Sequence, residues 1–300
     1  MKKFFLLAAA ALLTLAASAE VIPASDSRVT YVGRTQVIDN NVSFDWTATY
    51  FRIAFSGTSL TMRASDTKWD ATPEMAAKRH NYYNVWIDSP TSAEPHRIIE
   101  VSGNDTVIEL IDPAYLKKSR RSVHEVIVQK RTEGEQGKTT IHSFATDGKF
   151  FQADKLKSRQ LEFIGDSYTC GYGIDAASRT ERFSPETENA SRSYAGIVSR
   201  YFGADYVAIA HSGMGIARNY NSKFKGWWMP DRYLQTFDED STQVNRWDAT
   251  QSDFHPAMTV VYLGANDFST ALAPKYEDFR KHYYRLFKYI KANYGEDHPV

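Results

Sequence analysis

Three short apolar runs in the second half of the chain each end in a polar loop that contains glycine. The runs cover residues 161–164, 206–210 and 258–263, and the loops after them are Gly165-Asp166-Ser167, His211-Ser212-Gly213 and Gly264-Ala265-Asn266-Asp267. Between the runs, in stretches such as 193–202 and 276–293, apolar residues recur at intervals of three and four, which is the period of an amphipathic helix. Alternating strands and helices predict a parallel, doubly wound α/β sheet, and such sheets collect ligand sites at the carboxyl ends of their strands. All three polar loops are expected at that end.

The first half of the chain follows another pattern. Between residues 29 and 150, short segments alternate polar with apolar residues or are rich in Val, Ile, Tyr and Phe, which is typical of β-strands. The predicted strands are 29–35, 49–55, 82–88, 97–101, 106–111, 124–130 and 139–144. Segments such as 88–90, 102–105 and 133–137 contain the glycine, proline or Asn/Asp residues of turns. With no convincing helix, this half is predicted to be a β-sandwich (jelly roll) over residues 20–155, and the α/β domain to occupy residues 156–300.

Residues 1–19 have the three parts of a secretory signal peptide. Met1, Lys2 and Lys3 form a basic start, an apolar run covers residues 4–17, and Ala17-Ser18-Ala19 has the small residues of a cleavage site. A transmembrane anchor is the alternative, but the run is shorter than the roughly 20 residues that cross a bilayer. The sequence therefore predicts a secreted protein, periplasmic or extracellular, with no membrane contact after removal of the signal peptide.

Charge and cysteine content narrow the range of partners. The chain has 36 basic and 36 acidic residues, so neither nucleic acid nor an anionic membrane surface is expected as its main partner. The single cysteine, Cys170, cannot form an internal disulfide, so the exported fold must depend on its hydrophobic core. Aromatic residues make up 14% of the chain, and such rings stack on sugars as well as pack in cores. A neutral ligand fits this composition best.

The three polar loops supply two of the parts that a serine esterase needs. A serine hydroxyl attacks an ester when its oxygen is exposed, a base removes its proton and N–H donors stabilise the oxyanion. Ser167 follows a buried strand and precedes a predicted helix, whose N-terminal N–H groups favour negative charge. Gly213 allows a backbone N–H to approach the reacting carbon because it has no Cβ, and Asn266 offers a side-chain NH₂. We therefore predict Ser167 as the nucleophile and the N–H groups of Ser167, Gly213 and Asn266 as the oxyanion hole.

The segments around these residues resemble known sequence blocks. The segment 163–173, FIGDSYTCGYG, is similar to the first block of the SGNH (GDSL) hydrolases and in particular of carbohydrate esterase family 2. The segments 212–219, SGMGIARN, and 263–269, LGANDFS, resemble the second and third blocks. Three blocks in order, each after a strand, are far more specific than a lone Gly-Asp-Ser. The resemblance implies a jelly-roll domain before the hydrolase domain and deacetylation of xylo- or manno-configured sugars. By position, it implies Ser167 as nucleophile and Gly213 and Asn266 as oxyanion donors.

The general base of the family is a histidine in a late block, after two more strands, and here the chain stops at His298-Pro299-Val300. Since only three hydrolase strands precede that point, we expect the chain to be truncated and its catalytic histidine to lie beyond residue 300. Among the histidines present, His211 is the best alternative base, since it lies two residues before Gly213. The other interpretation of His211 is a loop residue that lines the site. His255 and His298 are expected at the opposite edge of the sheet. The histidines of the first half lack the spacing of a metal cluster, and neither a metal nor an organic cofactor is implied.

Five further residues have mainly structural interpretations. Asp166 is expected to bond backbone groups of its own loop rather than to act as the acid of a triad. Cys170 is expected to be small and buried on the first helix, although an exposed thiol there would be a labelling site. Trp227 and Trp228 either form a platform for a sugar or pack their segment onto the body of the protein. Asp267 is expected to fix its loop.

Together these patterns predict a secreted serine esterase that removes O-acetyl groups from plant cell-wall polysaccharide, of the xylan or glucomannan type, through an acetyl-serine intermediate. Its expected partner is an acetylated polysaccharide or oligosaccharide. Two alternatives stay open. One is a carbohydrate-binding protein that keeps the hydrolase fold as an inactive scaffold, and the other is a lipid or thioester acyl hydrolase on the same fold, which would have an apolar acyl groove.

Overall fold

The structure, a computed structural model, describes residues 19–68, 72–92, 94–222, 227–240, 242–270 and 272–300. The predicted signal peptide, apart from Ala19, lies outside the described residues. In the part of the chain that is described, no helix combines the length and the apolar character needed to span a bilayer.

The first part of the described chain consists mainly of β-strands. They are β1 (Glu20–Pro23), β2 (Thr30–Val32), β3 (Gln36–Ile38), β4 (Asn41–Phe44), β5 (Tyr50–Phe55), β6 (Leu60–Thr67), β7 (Asn81–Ile87), β8 (Arg97–Val101), β9 (Asn104–Glu109), β10 (His124–Lys130), β11 (Lys138–Thr146) and β12 (Phe150–Phe151). The predicted strands at 97–101 and 124–130 have the observed bounds. The sequence pattern does not predict β1, β3, β4, β6 or β12.

Two single-turn helices interrupt these strands, α1 (Pro73–Ala76) and α2 (Pro113–Leu116). The side chains of Thr72 and Asp112 cap them by accepting the backbone N–H groups of Met75 and Ala114, and a proline occupies the start of each helix. The capping side chain and the proline define each short helix locally, without the apolar periodicity by which longer helices are predicted. The expectation of no helix in this half is therefore wrong for these two turns.

Two six-stranded antiparallel sheets form this first part. One has the order β3-β4-β11-β6-β9, with β1 beside β11, and the other has the order β12-β5-β10-β7-β8, with β2 beside β5. Side chains from both sheets share one hydrophobic core, which includes Phe44, Met62 and Phe144 from the first sheet and Phe51, Val85 and Val126 from the second. The two sheets therefore pack face to face, while the jelly-roll connectivity stays a prediction.

The second part of the described chain alternates strands with helices, as predicted. Its elements are β13 (Gln160–Gly165), α3 (Ser167–Cys170), α4 (Tyr194–Tyr201), β14 (Asp205–Ala210), α5 (Met229–Arg232), β15 (Met258–Tyr262) and α6 (Tyr276–Tyr294). β13 lies between β14 and β15, and both pairs are parallel. Gly165 is opposite Ala210 on one side and Tyr262 on the other, so the three strands end at the same level. The predicted parallel sheet is confirmed.

Side chains of β13 belong to two different hydrophobic clusters. Leu161 and Phe163 share a cluster with Ala195 of α4, whereas Ile164 shares another with Leu286 of α6. Alternation along a strand sends successive side chains to opposite faces, so α4 and α6 cover different faces of the sheet. The doubly wound topology stays a prediction, because it is defined over more strands than the three described.

Residues 298–299 lie beside β15. The carbonyl of Pro299 accepts the backbone N–H of Thr259 at 3.0 Å, and Nε2 of His298 lies 2.8 Å from Oγ1 of the same threonine. Thr259 is near the amino end of β15, so the expectation that His298 lies at this edge of the sheet is confirmed. A fourth strand that starts here stays a prediction.

Buried polar contacts join the second β-sheet to the α/β part. The hydroxyl of Tyr50 on β5 donates to Oδ1 of Asp205 at 2.8 Å, and Arg52 forms an ion pair with the same carboxylate. On β10, the amide of Gln129 donates to the hydroxyl of Tyr206 at 3.2 Å. Asp205 and Tyr206 are the first residues of β14, so the β-rich part holds the amino end of this strand.

Candidate active site

Ser167 lies at the turn where β13 ends and α3 begins. It is the first residue of α3, and the N-cap residue Asp166 accepts the backbone N–H of Tyr168 with Oδ1 at 3.1 Å. The turn requires glycine before it, because a Cβ at Gly165 would lie 1.9 Å from Oγ1 of Thr169. Ser167 is half-buried at the carboxyl edge of the sheet. The expected structural role of Asp166 is confirmed.

The loop after β14 carries Gly213 in a left-handed conformation. Its φ angle is +78°, a value that residues with a Cβ rarely adopt. The carbonyl of Gly213 accepts the backbone N–H of Tyr220 at 2.8 Å, which closes the loop on itself. Glycine therefore sets both the direction of this loop and the orientation of its N–H.

Asn266 connects the three polar loops through one side-chain amide. Its Nδ2 donates to Oδ2 of Asp166 at 3.1 Å and to the carbonyl of Met214 at 2.8 Å. Asp166 precedes Ser167 and Met214 follows Gly213, so the three loops meet at one edge of the sheet. Both N–H bonds of the amide are engaged, and donation to an oxyanion therefore requires the amide to release one of these acceptors. The catalytic roles of Ser167, Gly213 and Asn266 stay predictions.

Asp267 fixes the second loop as well as its own. Its Oδ2 accepts the N–H of Ile216 at 2.9 Å, and its Oδ1 accepts those of Ala217 at 2.8 Å and Arg218 at 2.9 Å. Burial raises the pKa of Asp267, although these N–H donors favour the charged form. Burial also raises the pKa of Asp166 to about 6, with a smaller contribution in the same direction from Asp267. The expectation that Asp267 fixes a loop is confirmed.

His211 lies directly after β14, but its surroundings do not suit a base. The imidazole is buried, and its Nδ1 lies 2.7 Å from Oδ2 of Asp238, 3.4 Å from Oε1 of Glu239 and 3.8 Å from Oε2 of Glu133. Burial lowers the pKa of this imidazole, as does the guanidinium of Arg232, but the carboxylates of Asp238 and Glu133 outweigh both and raise the pKa to about 9. An imidazole that is already protonated at neutral pH cannot accept the proton of a serine. These surroundings favour the interpretation of His211 as a residue that lines the site, and the absence of a role as base stays a prediction.

The other histidines discussed from the sequence have partners elsewhere. The backbone N–H of His255 donates to the side chain of Gln160, the first residue of β13, so the expectation that His255 lies at the opposite edge is confirmed. Three imidazoles of the β-rich part bond within it, His80 to Glu100, His124 to Asp88 and His142 to Ser65.

Sequence comparison matches both parts of the chain to known families. Residues 31–153 match the N-terminal domain of carbohydrate esterase 2, and residues 161–297 match the GDSL-like lipase/acylhydrolase family. The chain has the two-domain architecture of the family two carbohydrate esterases. The match to the CE2 N-terminal domain ends at residue 153, and the match to the GDSL domain begins at residue 161. The predicted boundary at residues 155–156 lies between them.

Two curated relatives and one solved structure illustrate the similarity. The chain is 30% identical over 248 residues to the cellulase/esterase CelE of Acetivibrio thermocellus. This alignment covers 82% of this chain and 28% of that protein. The chain is also 30% identical over 267 residues to an acetylxylan esterase/glucomannan deacetylase of Cellvibrio japonicus. The second alignment covers 84% of this chain and 65% of that protein. The structure of a family two carbohydrate esterase from Clostridium thermocellum in complex with cellohexaose superimposes with a TM-score of 0.76 at 29% identity, over 90% of this chain and 76% of that one. The chain thus spans less than two thirds of the length of either curated relative.

Glu133 of the CE2 N-terminal domain reaches the GDSL site, which the sequence does not reveal. Its carboxylate is buried, and Oε2 accepts the backbone N–H of Ser212 at 2.6 Å. The sequence pattern predicts a turn over residues 133–137, and Gly134–Gln136 do form a 3₁₀ turn. The difference is that Gly134 and Gln136 are buried. The polar residues 130–133 at the end of β10 are typical of a solvated turn, whereas all four are buried, so the sequence offers no signal for this contact.

Two groups of buried or partly buried side chains bring possible metal ligands close together. They are Glu133, Cys170 and Glu188, and His211, Asp238 and Glu239, and within each group the ligand atoms lie within 4.8 Å of one another. The guanidinium of Arg232 already occupies the second group, 2.6 Å from Asp238 and 2.7 Å from Glu239. In the first group, burial and the neighbouring Glu133 raise the pKa of Glu188 well above its ordinary value, which favours a proton on that carboxyl. The expectation of no metal or organic cofactor stays a prediction.

Trp227 and Trp228 both have side-chain contacts within the GDSL domain. The guanidinium of Arg232 lies 4.3 Å from the ring centroid of Trp227, and the ring of Trp228 lies 4.5 Å from that of His282 in α6. The packing interpretation is therefore confirmed for Trp228, whereas the ring of Trp227 contacts a residue of its own segment and both interpretations stay open for it. Cys170 is fully buried on α3, and burial raises the pKa of its thiol well above its ordinary value. The expectation of a small buried residue is confirmed, and the labelling alternative is wrong.

Proposed function

We propose that this chain belongs to a secreted serine esterase that removes O-acetyl groups from plant cell-wall polysaccharide of the xylan or glucomannan type, and that it supplies the nucleophile and the oxyanion hole. The observation that carries the proposal is the pair of hydrogen bonds from Asn266, which joins the loops of Ser167 and Gly213 at one edge of the sheet. The carboxyl edge is where parallel α/β domains collect their ligand sites. The name of the Cellvibrio japonicus relative, an acetylxylan esterase/glucomannan deacetylase, supports this substrate class.

The proposed reaction begins when Oγ of Ser167 attacks the carbonyl carbon of the acetyl ester while a histidine takes its proton. The negative charge that forms on the carbonyl oxygen is stabilised by the backbone N–H groups of Ser167 and Gly213 and by the amide of Asn266. The bond between the acetyl carbon and the sugar oxygen then breaks, and the histidine returns its proton to that oxygen. Water, deprotonated by the same histidine, then attacks the carbonyl carbon of the acetyl-serine. The bond from that carbon to Oγ of Ser167 breaks, the histidine returns the proton to Oγ, and acetate leaves.

The general base is proposed to be a histidine outside residues 1–300. His211 is the only histidine among the described residues next to the second loop, and a pKa of about 9 keeps it protonated at neutral pH. A base with a pKa near the working pH is needed to accept the proton of Ser167. Export of the protein is proposed from the signal-like residues 1–19.

Three exposed aromatic side chains close to the three polar loops favour a sugar as the substrate. Tyr168 directly follows the nucleophile and is 62% exposed, Tyr220 contacts Gly213 and is 60% exposed, and Phe268 on the third loop is 56% exposed. Aromatic rings offer broad apolar faces, which suit the apolar faces of sugar rings. The balance of 36 basic and 36 acidic residues also suits a neutral polysaccharide.

Acetate release from acetylated xylan and acetylated glucomannan tests the proposed function. The protein is expressed from its gene through to the natural stop codon and compared with its Ser167→Ala variant. We expect the variant to lose acetate release while it keeps the circular dichroism spectrum and thermal midpoint of the parent. Retained activity in the variant would refute the assignment of the nucleophile.

The same assays separate the two alternatives. A carbohydrate-binding protein with an inactive scaffold would bind the polysaccharide but release no acetate. A lipid or thioester hydrolase would release longer acids from 4-nitrophenyl esters faster than acetate. The proposed esterase is expected to prefer the acetyl ester.

A further inference from the structure

The second loop of the GDSL domain is held by a residue of the other domain. Oε2 of Glu133 accepts the backbone N–H of Ser212 at 2.6 Å, and Ser212 directly precedes Gly213. Glu133 is 1% exposed, so water does not compete for this carboxylate.

Glu133 itself is fixed from several sides. The ammonium of Lys130 donates to the carbonyl of Glu133 at 2.9 Å, and the backbone N–H of Glu133 donates to Oε2 of Glu188 at 3.2 Å. The protonated imidazole of His211 lies 3.8 Å from Oε2 of Glu133. The carboxylate that holds Ser212 is thus part of a rigid, fully buried network rather than a mobile surface group.

A second residue of the CE2 N-terminal domain supports the same loop indirectly. The carboxylate of Asp45 accepts the backbone N–H of Asp238 at 2.8 Å and that of Glu239 at 3.2 Å. Asp238 in turn accepts the Nδ1 proton of His211 at 2.7 Å. The loop that carries Gly213 is therefore held by Glu133 directly and by Asp45 through the Asp238–His211 pair.

We propose that Glu133 is a positioning residue that aims the Gly213 N–H at the oxyanion, so that the CE2 N-terminal domain completes the active site of the GDSL domain. This inference rests on the proposed function. The oxyanion exists only in the transition state, so a displaced Gly213 N–H lowers kcat and leaves substrate binding nearly unchanged. A purely structural role would lower stability without this separation of kcat from KM.

The opposite end of β14 provides a matched control. Asp205, at the amino end, forms an interdomain ion pair with Arg52 that is as buried as the contact of Glu133 at the carboxyl end. Asp205→Asn and Glu133→Gln each convert a buried carboxylate at the domain interface into an amide. Only the second change touches the loop of Gly213.

The experiment uses the protein expressed through to its natural stop codon and its variants Glu133→Ala, Glu133→Gln and Asp205→Asn. For each protein, kcat and KM for acetate release are measured at a temperature where it is folded. A displacement of about 1 Å in a catalytic group can cost about 10²-fold in rate, so we expect kcat to fall by about 10- to 100-fold in Glu133→Ala. Glu133→Gln keeps an oxygen acceptor and is expected to lose less. KM is expected to stay within about twofold, and Asp205→Asn to lose thermal stability but not kcat.

Hydrogen exchange gives an independent readout. The backbone N–H of Ser212 is expected to exchange slowly in the parent and in Asp205→Asn, and faster in the Glu133 variants. If Glu133→Ala does not fold, Glu133→Gln and Asp205→Asn decide the question. The inference is overturned by a kcat for Glu133→Ala equal to that of Asp205→Asn or, where Glu133→Ala does not fold, by faster exchange at Ser212 in Glu133→Gln with no loss of kcat. Activity that survives in Ser167→Ala instead overturns the proposed function, so the two failures are distinguishable.

Discussion

The side-chain amide of Asn266 donates a hydrogen bond to the carboxylate of Asp166 across 3.1 Å, although the two residues lie 100 positions apart in the chain. Asp166 also caps α3, the helix that begins with Ser167. A shift of the third loop is therefore transmitted to the nucleophile through a single side chain. The same amide holds the carbonyl of Met214, so the second loop moves with the other two.

Asn266→Ala is expected to lower kcat for acetate release by about 10²-fold or more, which is the usual effect of removing one oxyanion donor. Asn219→Ala is the matched control, because Asn219 also ties the second loop, through the Gly215 N–H at 3.1 Å and the carbonyl of Trp227 at 3.1 Å. We expect the control to lose stability with a much smaller change in kcat. Steady-state kinetics of both variants checks this, and an unchanged rate in Asn266→Ala would remove Asn266 from the oxyanion hole.

Gly213→Ala is expected to lower both stability and kcat. An alanine at a left-handed φ of +78° costs about 1–2 kcal/mol, while its Cβ would meet only Tyr220 at an ordinary contact distance of 3.7 Å. Relief of this strain rotates the peptide and turns the N–H away from the oxyanion. The control is Gly203→Ala, since Gly203 has a φ of +61° and open space around it but lies before the amino end of β14.

Chemical denaturation and kinetics of the two glycine variants give the comparison. Both variants are expected to lose a similar free energy of unfolding, and only Gly213→Ala is expected to lose kcat. Equal kcat values in the two variants would mean that the Gly213 N–H does not take part in catalysis.

The three polar loops are the part of the site that local sequence predicts. The first two apolar runs are buried parallel strands and the third is a partly exposed one, and each is followed by glycine and polar residues. Ser167, Gly213 and Asn266 therefore all come from a pattern of a few residues. The edge of the sheet at which they meet follows from the parallel topology. No contact between distant residues has to be known for this inference.

The support of the second loop could not be predicted in this way. Glu133 and Ser212 are 79 positions apart, and Asp45 and Asp238 are 193 positions apart, in different domains. A charged residue after a strand normally indicates a solvated turn, and only the packing of the two domains buries it. β6 escapes prediction for a related reason, because its buried side ends in a charged residue, Asp66, which interrupts the alternation of Leu60, Met62 and Ala64 with polar residues.

The chain that ends at Val300 is expected to hydrolyse 4-nitrophenyl acetate no faster than the buffer background. Ser167 needs a neutral base, and His211 carries a proton at neutral pH because its pKa is about 9. The matched control is the same protein expressed through to the natural stop codon, which is expected to be active. Full activity of the shorter chain would show that a base lies within residues 1–300.

His211 is expected to make the stability of the fold depend on pH. Burial and Arg232 lower the pKa of its imidazole, but Asp238 and Glu133 raise it from 6.5 in the unfolded chain to about 9 in the fold. A raised folded-state pKa means that the native protein holds the proton more tightly, so this stabilisation is complete below about pH 6.5 and is lost as the pH rises through about 9. One pKa unit corresponds to about 1.4 kcal/mol, so the loss is on the order of 3 kcal/mol.

Thermal midpoints between about pH 6 and pH 10, for the parent and for His211→Gln, measure this contribution. Burial lowers the pKa of Lys130 to about 8, so the titration of this residue changes the stability in the same pH range but in the opposite direction. Both proteins contain Lys130, and the quantity to follow is therefore the difference between the thermal midpoints of the parent and of His211→Gln at each pH. The variant lacks the imidazolium that bridges Asp238, Glu239 and Glu133, so the difference is expected to be large near pH 6 and to vanish near pH 10. A difference that is the same at both ends would mean that His211 is neutral in the fold, and the imidazole next to the Gly213 loop would again be a candidate for the base.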